Sequence, residues 1–128
     1  MKKLLLSLLL AITATTNVAA QNKIDDMVDK FSAVGNSTFT SVVERNPTTH
    51  QVEKVVKVLT LYGTQATKMR SVFKQESNKG TFSEKSEDGI ITMILTTVTS
   101  SSNRIYMLKM ESEKYYPNAK VTIIIKIK

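Results

Sequence analysis

Phe39-Thr-Ser-Val-Val-Glu-Arg45, then Asn46-Pro47-Thr48-Thr49-His50-Gln51, then Val52-Glu-Lys-Val-Val-Lys-Val-Leu-Thr-Leu-Tyr62 is the stretch that decides the fold. β-Branched residues crowd both flanks of a polar Asn-Pro centre. Proline presets φ for a turn and pushes the residue before it out of the helical region, so the stretch reads as a β-hairpin. A helix competes, because Val52, Val55, Val56 and Leu59 fall at i, i+3, i+4 and i+7. The valines weigh against it, since a branched Cβ loses rotamer freedom in a helix and packs well on a pleated surface. From Val55 onward both faces of the second strand are apolar: Val56 and Val58 on one, Val55, Leu59 and Leu61 on the other. A strand apolar on both faces belongs inside a sheet.

On the N-terminal side, Ile24, Met27, Val28 and Phe31 form one stripe of a helix. Asp25 and Asp26 sit in its first turn and Lys30 near its end, each where the helix dipole favours that charge. Gly35-Asn36 is expected to stop it. On the C-terminal side, Gly63-Thr64 ends the hairpin and a second helix is expected over 64–79, with Ala66, Met69 and Phe73 as its buried stripe. The two helices echo each other: Ile24, Met27 and Phe31 precede Thr38-Phe39-Thr40 as Ala66, Met69 and Phe73 precede Thr81-Phe82-Ser83. Each copy runs into a strand–turn–strand, the second turning at Asp88-Gly89, where glycine accepts a positive φ without steric cost.

Two further strands complete the chain. Over 104–110, Ile105 and Met107 alternate against Tyr106, Leu108 and Met110. The last, over 121–128, sets Val121, Ile123, Ile125 and Ile127 on one face and Lys126 and Lys128 on the other, lysines that guard against aggregation. The fold class is therefore α+β: two helices packed on one face of an antiparallel sheet of about six strands, in the order α-β-β-α-β-β-β-β.

The ends set the compartment. Lys2 and Lys3, the apolar run 4–12 and Val18-Ala19-Ala20 have the layout of a secretory signal peptide over 1–20, leaving a single α+β domain over 21–128. The apolar run is half the length of about 20 residues that a spanning helix requires, so the chain is not expected to span a membrane. Gln21 stands where a lipid-anchored product carries cysteine, and the cysteine count of zero leaves the domain to be held by its core alone. These features point to a periplasmic or secreted bacterial protein. Without Lys2 and Lys3, sixteen basic residues face eleven acidic ones, a net charge of +5. The lysines are scattered and no aromatic residue is interleaved with a basic run, so nucleic acid is not an expected partner.

Residues for catalysis are few. His50 is the one histidine and stands in the hairpin turn. Asp25, Asp26 and Asp29 read as solvated partners of the helix dipole rather than a metal site. Ser71-Val-Phe-Lys74 matches the Ser-x-x-Lys nucleophile motif, but its Ser-Asp-Asn and Lys-Thr-Gly companions are missing and Phe73 reads as core. There is no phosphate-binding glycine loop and no metal-ligand spacing, so no cofactor is expected. Tyr106, Tyr115 and Tyr116 are the candidates for partner contact, because tyrosine offers rigid contact area with a polar tip.

The signal ending Val18-Ala-Ala-Gln21, the helix Ile24-Asp-Asp-Met-Val-Asp-Lys-Phe31, Ser37-Thr-Phe-Thr-Ser41, Glu44-Arg-Asn-Pro47 and Lys54-Val-Val-Lys-Val-Leu59 together resemble small exported proteins of unknown function from gut Bacteroidetes. In layout, the helix-then-hairpin units are similar to PepSY domains and to β-lactamase-inhibitor-like repeats. The first likeness implies compartment and source but no mechanism, the likeness of layout implies a non-catalytic binding module outside the cytoplasm, and the expected partner is an unidentified protein or envelope component. The module's contact surface is expected on the sheet face left open by the helices, with Tyr106, Tyr115 and Tyr116. Two rivals stand beside it. One is a small enzyme built from Ser, Tyr, Lys and carboxylate groups, favoured by a clustered polar pocket holding a buried lysine or carboxylate. The other is an envelope assembly subunit, favoured if the strand over 121–127 is an unpaired edge.

Overall fold

Helix α1, Lys23–Ser32, begins at a reciprocal cap. The Asn22 side chain accepts from the N–H groups of Ile24 and Asp25, and the Asp25 carboxylate accepts from the Asn22 N–H at 2.9 Å. The Lys23 N–H donates to Glu76 Oε1 at 2.9 Å, and the Asp26 N–H to the Asn22 carbonyl. The N–H groups of Asn22, Lys23, Ile24 and Asp25, the four that a helix start leaves without partners, are thereby satisfied, and that of Asp26 makes the first bond within the helix. The computed structural model describes residues 22–35, 37–112 and 115–128; the expected signal peptide and its cleavage site after Ala20 lie outside them. Among the described residues no helix is long and apolar enough to cross a membrane. Helix α1 ends at Ser32, ahead of the expected glycine stop. Its last turn is closed instead by the Phe31 carbonyl, which accepts from the Val34 N–H and the Ser37 hydroxyl.

The hairpin follows as β1, Thr38–Arg45, and β2, Val52–Tyr62. Its turn is built by Asn46, whose side-chain oxygen accepts from the N–H groups of Thr48 and Thr49. His50 is exposed there with φ of 63°. Helix α2, Thr64–Gln75, is shorter than expected: residues Ser77–Lys79 form a tighter 3₁₀ turn closed by Lys79 N–H donating to the Glu76 carbonyl. Then come β3, Thr81–Glu87, β4, Ile90–Val98, β5, Ser102–Glu111, and β6, Asn118–Ile127. Asp88 and Gly89 both take positive φ between β3 and β4, the conformation a tight two-residue hairpin requires.

The six strands form one antiparallel sheet in the order β1-β2-β6-β5-β4-β3. Both helices pack on one face of it, giving the expected α-β-β-α-β-β-β-β architecture. The two helix–hairpin units that echo in sequence occupy opposite wings, and β1 and β3 are the two edges. The condition that would favour an assembly subunit, an unpaired edge over 121–127, is not met: β6 lies in the middle, hydrogen-bonded to β2 and β5. Its alternate Val and Ile side chains are buried beneath the helices, which draws the most apolar strand to the centre.

Register assigns every side chain to a face. Under the helices run Phe39–Leu59–Val121–Leu108–Met93 and, one row away, Lys57–Ile123–Tyr106–Leu95–Phe82. A third row is Leu61–Ala119–Met110–Ile91. Onto these, α1 lowers Ile24, Val28 and Phe31, and α2 lowers Ala66, Met69, Val72 and Phe73. Met27, Phe39, Val55 and Phe82 pack at the margin of the same core.

Candidate functional site: the uncovered face of the sheet

The alternate residues of the same strands face away from both helices. One row reads Val42–Val56–Ile124–Ile105–Thr96 across β1, β2, β6, β5 and β4. The next reads Thr40–Val58–Thr122–Met107–Ile94. Together they make an apolar band running across the strands, about 20 Å long at the spacing of adjacent strands. Val42 is 56% exposed at one end, and Val56, Val58, Ile94, Ile105, Met107 and Ile124 are half-buried by one another. No described helix lies over them. Ile90 and Val98 add exposed apolar area beyond the band.

Lysines flank the band on both sides. On one, Lys54 stands directly opposite Lys126. On the other, Lys109 stands opposite Lys120, with Lys85 farther along the same row. Like charges in a cross-strand pair repel and weaken a sheet. Glu44 relieves one of the pairs, lying 4.0 Å from Lys54, and Lys85 meets Glu87 at 2.9 Å. Among the described residues no ion pair holds Lys109, Lys120 or Lys126.

The three tyrosines expected at a contact surface part company. Tyr106 is a correction: it stands on the covered face, fully buried, and cannot meet a partner from outside. Its hydroxyl donates to Asp25 Oδ2 at 2.8 Å. Tyr115 is fully exposed, and Tyr116 is exposed beside Gly63 at the start of α2. Both stand at the end of the sheet next to Tyr62, whose parity with Val56 and Val58 sets it on the uncovered face.

Asp25 is a second correction. It is 3% exposed rather than solvated, and beyond its capping role its Oδ1 lies 3.4 Å from Arg104 Nη1. Burial pushes its carboxyl above the ordinary range, against the pull of the Asn22 N–H, the Tyr106 hydroxyl and the charges of Arg104 and Lys57. Burial and then the neighbouring carboxylate push the Tyr106 phenol well above its usual value. Together they form a polar staple that fixes the start of α1 to β5. Asn22-x-x-Asp25 was the signal for half of it, since that spacing lets each end of the motif cap the other. The other half follows from strand parity, which puts Arg104 and Tyr106 on the face of Leu108. Asp26 and Asp29, as expected, are exposed. No group of three or more potential metal-ligating side chains comes together among the described residues.

On the helix side, a shallow groove of about 390 Å³ runs between α1 and α2, floored by Met27 and Val72 and rimmed by Lys23, Lys30, Lys68 and Asp26. Comparison with known proteins finds no family model that matches this chain and no curated protein similar to it.

Proposed function

We propose that the chain is an exported, non-catalytic binding module that meets a protein or envelope component through the uncovered face of its sheet. The observation that carries this reading is the apolar band of Val56, Val58, Ile94, Ile105, Met107 and Ile124, left half-buried on the side the helices do not reach. A contiguous apolar patch rimmed by polar residues marks a contact site on a soluble protein. Tyr115 and Tyr116 supply additional contact area at the end of the sheet. The buried carboxylate that a small enzyme would need is present in Asp25, but its oxygens are taken up by Asn22, Tyr106 and Arg104, all within the joint between helix and sheet. That joint favours a structural role over chemistry. The likeness to small exported Bacteroidetes proteins is in keeping with the same reading.

The test is affinity capture from the organism's own cell envelope with the tagged exported protein, compared with Ile105→Glu and with Lys68→Glu as a control on the helix side. The expected result is a partner retained by wild type and the control and lost by Ile105→Glu. An Ile105→Glu protein that folds and keeps every partner overturns the reading.

A further inference from the structure

Resting on that reading, we infer that the occupant of the uncovered face is an acidic amphipathic helix of a partner protein. The band and its lysines set the dimensions. On β6, Lys120 and Lys126 are six residues apart, so the two lysine rows stand about 20 Å apart along the strands. An α-helix with its side chains is roughly 10–12 Å wide, and laid along the band it leaves a few ångströms on each side. That gap is the reach of a Lys–Glu contact. The length of the band, about 20 Å, corresponds to roughly 13 helical residues. The occupant's apolar stripe would rest on Val56, Val58, Ile105, Met107 and Ile124, and carboxylates on its two flanks would meet Lys54 and Lys126 on one side and Lys109 and Lys120 on the other.

The lysine pairs carry the choice of charge. The pair of Lys109 and Lys120 works against the sheet in the free protein, the pair of Lys54 and Lys126 less so because Glu44 lies beside Lys54, and a carboxylate placed between the members of each pair turns repulsion into attraction. The same feature disfavours the other occupants. A second copy laid face to face would bring lysine rows against lysine rows. An anionic lipid surface would satisfy the lysines, but the side chains between them, Val56, Val58, Ile105 and Ile124, are half-buried in the sheet, and the exposed Tyr115 and Tyr116 stand at its end rather than on the band. The sheet, already covered by helices on one face, also gains on the other the layer that a doubly apolar sheet requires.

The test uses labelled synthetic peptides of about 14 residues. One carries leucine at i, i+3, i+4 and i+7 spacing with glutamate on both flanks. A second has lysine in place of each glutamate, and a third is a scrambled isomer of the first. Binding to the purified protein is followed by fluorescence anisotropy and by side-chain methyl resonances. The acidic peptide is expected to bind, to weaken as ionic strength rises above about 0.1 M, and to shift Ile94, Ile105 and Ile124 but not Ile91 or Ile123. Lys109→Glu with Lys120→Glu should weaken it about tenfold, the scale of two rim charges reversed. The same two residues changed to Gln should weaken it in the same direction without new repulsion, and Lys68→Glu should leave it unchanged. Equal binding of the lysine or scrambled peptide overturns the inference. So does capture by phosphatidylglycerol vesicles without binding of the acidic peptide, or self-association that Ile105→Glu abolishes. If Ile105→Glu loses the captured partner while the acidic peptide fails to bind, the binding face stands and the acidic helix falls.

Discussion

Replacing Tyr106 by Phe separates a contact residue from a structural one. The ring of Tyr106 is fully buried between Ile123 and Leu95 in its row, so the substitution keeps the packing and removes one oxygen. That oxygen donates to Asp25 Oδ2 at 2.8 Å, and Asp25 keeps the Asn22 N–H at 2.9 Å and Arg104 at 3.4 Å. The loss is thus one hydrogen bond to a buried charged group, about 2 kcal/mol. In a domain of this size that is a fall in melting temperature of roughly 10 °C. Equilibrium denaturation in urea at neutral pH measures it, with an unchanged slope showing that the two folded states are equally compact. The pH dependence gives a second reading. Burial raises the folded-state pKa of Asp25 above its ordinary 3.8, and the Tyr106 hydroxyl lowers it by favouring the charged form. Tyr106→Phe therefore raises it further. The wild-type advantage is full above the variant's folded-state pKa, the higher of the two, and shrinks as pH falls from there through the wild type's. A loss under about 0.5 kcal/mol at neutral pH, or an advantage that grows towards acid, would refute the staple.

Phe31→Ala and Phe73→Ala each remove a buried ring from the single core under the helices and should cost about 3–5 kcal/mol by denaturant titration; a cost under about 1 kcal/mol would contradict that core. Gly80→Ala sets a Cβ onto the backbone carbonyl of Thr96, where nothing flexible can yield, so a loss of more than about 1 kcal/mol is expected and an unchanged denaturation midpoint would show that β3 and β4 move apart freely. Lys120→Glu turns a like-charge pair with Lys109 into an attractive one, and the free protein should gain about 0.5 kcal/mol, disappearing in high salt. On the reading of residues 1–20 as a cleaved signal, protein recovered from outside the cytoplasm should have the intact mass of residues 21–128; a retained leader or an added lipid would refute that reading.

Where periodicity and turn chemistry agree, the sequence was legible. Asn46-Pro47 and Asp88-Gly89 each turn a hairpin, and the stripes around Phe31 and Phe73 both reach the core. The order of strands was not legible, because no local pattern says that β6 inserts between β2 and β5. Its lysines read as a guard against aggregation at the terminus, and in the sheet Lys126 stands opposite Lys54 on the uncovered face. Asp25 was misjudged for a related reason. A carboxylate in the first turn of a helix is usually solvated, and only the arrival of Arg104 and Tyr106, about 80 residues later in the chain, makes its burial tolerable. Glu76 repeats the pattern, a buried carboxylate at the end of α2 spent on the first N–H of α1.

The choice of which sheet face the helices take follows from the side chains themselves. Both faces are apolar near the centre, but the covered one holds the larger groups: Leu59, Leu61, Met93, Leu95, Tyr106, Leu108 and Met110. The other alternates Val and Ile with Thr40, Thr60, Thr92, Thr96 and Thr122 and ends in lysines at both sides. Helices gain more by burying long branched and aromatic side chains than short ones separated by hydroxyls. They also find on that face alone the polar partners for the buried carboxylate of α1: Tyr106 and Arg104 reach Asp25, and Lys57 lies close enough to act on its charge. Placed on the opposite face, Asp25 would meet Ile105 and Met107 instead, and its desolvation would go unanswered. The same residues that fasten the helices thus fix which surface is left over. That surface keeps the shorter apolar side chains, Val56, Val58, Ile105 and Ile124, between Lys54 and Lys126 on one side and Lys109 and Lys120 on the other.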